Sequence, residues 1–134
     1  MIKSFFISFV AFVIFDFIWL GYVVAGFNVR QLAAIGRIEN GKFDVLYAPA
    51  VLVYVLLALA VTFFVLPVCG PDSSWWRSFL YGSLMGLVIY GVYDMTNLSI
   101  LKDYPLKFAA ADIAWGVFVC GAVSALANRF AGPS

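Results

Sequence analysis

The chain has 134 residues, of which 65% are hydrophobic, 19% aromatic and 11% charged. A soluble domain averages about 45 to 50% apolar and about 25% charged residues, so a soluble core of this length is excluded and the chain reads as an integral membrane protein. A net charge of +1 with no basic cluster excludes a nucleic-acid partner.

The first apolar stretch covers 4–26. It outruns the roughly 7 to 15 apolar residues of a signal peptide and carries Asp16 in its second half, so it is read as a retained span. In the segment that follows, Leu32, Ile35 and Ile38 stand at helical spacing against Arg30, Arg37 and Glu39. That spacing predicts an interfacial helix over 29–39, ended by Asn40 and Gly41. The second stretch covers 45–68, with Pro49 tolerated near its start. The turn CGPDSS then leads to Trp75, Trp76 and Arg77, a composition suited to the aromatic belt at a membrane surface. A third stretch covers 79–101 and a fourth 108–127. Gly82 and Gly86 form a GxxxG pair in the third, and Ala110, Ala114, Gly116 and Gly121 keep the fourth slim, so these two helices can approach closely.

Each stretch reaches the roughly 20 residues that cross a 30 Å hydrocarbon core. The expected fold is all-α: a polytopic four-transmembrane-helix bundle forming one domain over 1–134. Four spans put both termini and the 67–78 loop on one face, A, and the 27–44 and 102–107 connections on the other, B. Face B carries Arg30, Arg37, Lys42, Lys102 and Lys107 against Lys3, Arg77 and Arg129 on face A, a bias that favours B as cytoplasmic.

The chain has no histidine, and Cys69 and Cys120 form no Cys-x-x-Cys pair. No metal and no cofactor are therefore expected, and the cysteines read as buried apolar thiols.

The chemistry lies in three aspartates. At 1.5 Å per residue, Asp16 is about 18 Å from face A, Asp94 about 22 Å and Asp112 about 24 Å, one slab in the B half. Asp16 and Trp19, Asp94 and Asn97, and Asp112 and Trp115 are i, i+3 pairs, and Tyr90 shares a face with Asp94 at i, i+4. A carboxylate facing lipid is costly, which makes each acid a candidate functional residue. The expected site is a cavity open to face B in which Asp16, Asp94 and Asp112 share protons, with Asp94 and Asp112 mattering most. Trp19, Trp115, Tyr47, Tyr90 and Tyr93 would wall it, Asn97 would supply a neutral partner, and Lys102 and Lys107 would stand at the mouth. The competing use of such acids is structural, as hydrogen-bonding groups that fix helix register.

The stretch YDMTNLSILKDYPLKFAAADIAWG, together with FDFIWLGY near the N-terminus, resembles the bacterial membrane-protein family known as domain of unknown function 2177. The residues matching its pattern are Asp16, Trp19, Tyr93, Asp94, Thr96, Asn97, Pro105, Asp112, Trp115 and Gly116. The resemblance implies a small four-helix multi-pass protein, in a bacterial inner membrane, and supplies no activity. Three functional readings follow. The first is a small transporter or permease-like protein binding a small cation, amine or lipid-like molecule, as a homodimer because four helices enclose little space. The second is a membrane enzyme acting on a lipid or isoprenoid headgroup, which lacks a nucleophile motif here. The third is an accessory or scaffold subunit of a membrane complex.

Overall fold

Beside an apolar core, this chain buries several small and polar side chains and exposes many large apolar ones. Ser4, Ser8, Asp16, Ser78, Asp94 and Ser124 are buried, while Phe6, Phe17, Phe64, Leu84 and Val92 are exposed. So many large apolar side chains facing outward suit lipid surroundings, and small or polar ones face inward where helices must meet closely. The computed structural model describes residues 1–70 and 72–131. Pro71 of the expected turn, and the three C-terminal residues, lie outside them.

Helix α1, Ile2–Ile18, runs without a break into a π-helical turn, Trp19–Val23. A short α2, Ala25–Gln31, follows. Strands β1, Ile38–Glu39, and β2, Lys42–Phe43, pair antiparallel. Helix α3, Tyr47–Ala60, continues through a second π turn, Val61–Val65, into α4, Leu66–Cys69. The two long helices α5, Trp75–Ile100, and α6, Leu106–Ala131, complete the chain.

Among the described residues three helices are long and apolar enough to cross a membrane: Ile2–Val23, Tyr47–Cys69 and Leu106–Ala131. The chain is thus an all-α membrane protein. Helix α5 has the length, 26 residues, but its glycines, serines, Thr96, Asn97 and Asp94 make it less apolar than the other three.

The interfacial helix expected over 29–39 is replaced by two shorter pieces. Helix α2 stops at Gln31, and the chain then turns into the hairpin. Asn40 and Gly41 both adopt positive φ, 54° and 76°, as the two-residue turn of a tight hairpin requires. Asn-Gly therefore reverses a β-ribbon here rather than merely stopping a helix. Gly36 is held so close to the Leu32 carbonyl that a side chain there would overlap it and press on the Phe43 ring.

Helix α6 is the centre of the bundle. It packs on α5 along most of their length and on α1, while α3 packs on α1. The buried face of α5 is Ser78, Gly82 and Gly86 at four-residue spacing, with Asp94 two such steps further on. A Cβ on Gly86 would strike the backbone of Gly116, and one on Gly82 would strike Ser124 and the Cys120 carbonyl. Gly121 meets Ser83 and Phe79 in the same way. These contacts realise the expected GxxxG packing, with one difference: Ala110 and Ala114 are exposed and lie outside it. Phe12, Leu57, Val61, Val119 and Val123 fill the apolar core between α1, α3 and α6. Cys69 and Cys120 are free and buried.

Candidate functional site

Antiparallel packing brings the acid positions of α1, α5 and α6 to one level. Asp16 ends the buried stripe Ser4, Ser8, Phe12, Asp16 of α1. Its Oδ1 accepts from Trp115 Nε1 at 2.7 Å, and Tyr54 of α3 faces the same carboxyl. The indole of Trp115 also stacks on Trp19, with ring centroids 4.5 Å apart and planes within 4°. One side chain of α6 therefore fixes both members of the Asp16 and Trp19 pair. The π turn of α1 begins at Trp19, and such turns are frequent at functional sites.

Asp94 is fully buried. Its Oδ1 accepts from Tyr104 Oη at 2.5 Å, while its Oδ2 accepts from no N–H or hydroxyl among the described residues. Tyr104 sits in the connection between α5 and α6, immediately before Pro105. A residue preceding proline is restricted to extended backbone, which turns the chain under the end of α5. The ring packs edge-on against Phe108, centroids 5.7 Å apart. Burial first, then the hydrogen bond to Asp94 and its charge, hold the Tyr104 hydroxyl well above the usual phenol range, so it stays a donor. Asn97 lies within reach of both Tyr104 and Tyr93.

Asp112 of α6 completes the layer, its carboxyl within hydrogen-bonding reach of Asp94 and close to Asp16. Tyr90 packs its ring on Gly116, where a Cβ would overlap it, and stands beside both Asp16 and Asp112. The result is a carboxyl pair, Asp94 with Asp112, and a third carboxyl nearby. Among the described residues no group of three His, Cys, Asp or Glu side chains is gathered as a metal site.

A crevice of about 530 Å³ runs past this layer. Asp16, Asp112, Tyr54, Tyr90 and Tyr93 supply its polar surface, with Leu20, Val53, Leu56, Leu57 and Ile89 around them. Asp94 does not line it and sits behind Asp112, so the two acids singled out together by the sequence occupy different positions: one faces the crevice, the other backs it.

The remaining expected residues divide cleanly. Trp19, Trp115 and Asn97 belong to the layer without lining the crevice. Tyr47 is 79% exposed at the start of α3, two turns before Tyr54, and does not line the crevice. Lys102 and Lys107 are exposed and make no hydrogen bond to the acids, because the connection they flank turns Tyr104 inward instead. Sequence reasoning missed Tyr54 and Tyr104. Tyr54 is a lone polar tip in a run of aliphatic residues, and its signal was its position opposite Asp16 in depth. The signal for Tyr104 was the Tyr-Pro step in a short connection.

A family model described as a predicted membrane protein, DUF2177, matches residues 1–128. No curated protein and no solved structure matches the chain.

Proposed function

From the premise that the chain belongs to the DUF2177 family of predicted membrane proteins, we propose that it is a transporter or permease-like protein whose acid layer binds a cation, amine or lipid-like molecule. In this reading α5 is a fourth span. Its outer face, Leu80, Leu84, Leu87, Val88 and Val92, is exposed and apolar, and its inner face is small and polar, as in a membrane helix packed against a neighbour.

The observation that carries the proposal is the pairing of two carboxyls, Asp94 and Asp112, beside a third, at the edge of a crevice with no basic side chain among its lining residues. Carboxyls used only to hold helices together need one donor each. Asp16 has Trp115 and Asp94 has Tyr104, whereas Asp112 meets another carboxyl and open space. Two carboxyls in contact carry one negative charge comfortably when they share a proton, and a cation in the crevice can replace that proton.

The test is native mass spectrometry of gently purified protein beside thermal unfolding of variants. Asp112→Asn should fold and lose whatever adduct the wild type retains. If Asp112→Asn loses stability with no selective loss of adduct, the acids hold the bundle together and the binding reading fails.

A further inference from the structure

The crevice is not a pore along the bundle axis. Helices α3 and α5 approach each other at the π turn Val61–Val65, which touches α1, α5 and α6, and they make no comparable contact along the rest of α3. The gap between them opens sideways, towards lipid. Its lips are Leu20, Val53, Leu56 and Ile89, all exposed apolar side chains. Its floor is Asp112 and Asp16, flanked by the rings of Tyr54, Tyr90 and Tyr93.

Polarity is therefore graded across the slot, from hydrocarbon at the mouth to carboxyl at the back. A hydrated inorganic ion arriving from water has no use for such lips, and an uncharged lipid tail has no use for such a floor. Charge and shape together fit a molecule with a cationic head and an alkyl or polyprenyl tail. The head would sit against Asp112 with tyrosine faces around it, where an ammonium gains both ion pairing and cation–π attraction. The tail would lie between α3 and α5 and continue into the bilayer.

We propose that the ligand of this site is a cationic amphiphile that reaches Asp112 sideways from the membrane, between α3 and α5. This rests on the acid-layer reading above and narrows it to a substrate class and a route.

The probes are dodecyltrimethylammonium, tetramethylammonium, which has the head without the tail, and laurate, which has a tail with the opposite charge. Each is added to purified full-length protein in dodecyl maltoside, and bound adducts are counted by native mass spectrometry. Dodecyltrimethylammonium should be retained at least tenfold better than either comparison probe. Asp112→Asn should lower that retention at least tenfold, and so should Ile89→Trp, which fills the lip without touching an acid. If tetramethylammonium binds as well as the tailed cation and still depends on Asp112, the amphiphile inference is overturned while the acid site stands. Laurate binding equally well, or retention indifferent to Asp112→Asn, would reduce the slot to a greasy groove and overturn both. Unchanged retention in Ile89→Trp would overturn the sideways route. Should Asp112→Asn not fold, the comparison of probes and the Ile89→Trp variant still decide the matter.

Discussion

Replacing Gly86 by alanine adds one methyl group, and the structure says where it goes. It meets the Gly116 backbone of α6 and the Cys120 Cβ, the latter at 2.9 Å. Main chain on the opposing helix cannot rotate aside as a flexible side chain would, so the overlap is relieved only by parting α5 from α6 by about 1 Å. A gap of that size forfeits about a quarter to a half of the dispersion energy at the crossing. Overpacking costs about 1–3 kcal/mol, and the rigid neighbour places Gly86→Ala near 3 kcal/mol, a change of about 100-fold in the folding equilibrium. Gly91 lies on the same helix with nothing within 4 Å of its would-be Cβ. There the methyl costs no space, and the gain in helix propensity makes Gly91→Ala stabilising by about 0.5–1 kcal/mol. Reversible unfolding in mixed micelles, with the two variants side by side, measures the difference. Equal stabilities for Gly86→Ala and Gly91→Ala would refute the argument that α5 and α6 touch backbone to backbone.

Three further outcomes are expected. Tyr104→Phe removes the donor to the buried Asp94 and should destabilise by about 1–3 kcal/mol, with the loss shrinking when Asp94 is already replaced by leucine; an undiminished loss in that background would assign the effect to packing on Phe108. Trp115→Phe keeps a ring against Trp19 but loses the N–H to Asp16, so a double-mutant cycle with Asp16→Ala should show a coupling of about 1–2 kcal/mol, and additive losses would count against the bond. Tyr47→Ala, at an exposed position, should change thermal stability by no more than about 0.5 kcal/mol and leave adduct retention intact, whereas a selective loss of adduct would put Tyr47 back into the site.

That the acids share one level was legible because rise per residue and apolar length suffice to compute it; Asp94 and Asp112 come within hydrogen-bonding reach, with Asp16 near Asp112. Which acid faces open space was not legible. Asp94 and Asp112 differ in that respect through the rotation of α5 against α6, which Gly82, Gly86 and Gly116 determine by contact and which no spacing rule reports. Connections were the weakest ground. Periodicity carried Leu32, Ile35 and Ile38 as a helix face, yet the Asn40 and Gly41 turn imposed a hairpin, because a local backbone requirement outweighed a weak amphipathic pattern. Lys102 and Lys107 flank the right connection, but a long charged side chain there keeps its head in water while the neighbouring Tyr104 turns in. Three of the long helices pass as spans on length and apolarity alone. The fourth is diluted by the very residues that let it pack.

The hydrogen bond from Trp115 to Asp16 joins residues 99 positions apart, and this interval is also a delay. At about 5–20 residues per second, roughly 5 to 20 s pass on the ribosome between making the acid and making its indole donor. The close pair α5 and α6, which supplies the centre of the bundle, follows α1 and α3 in chain order and is synthesised after them. During biogenesis the first helix must therefore hold an unpaired carboxyl in or near the membrane, with Tyr54 on the next hydrophobic helix as the earliest group able to shield it. In the finished bundle Tyr54 still faces the Asp16 carboxyl beside Trp115, so the earlier-made contact is kept when the later one forms.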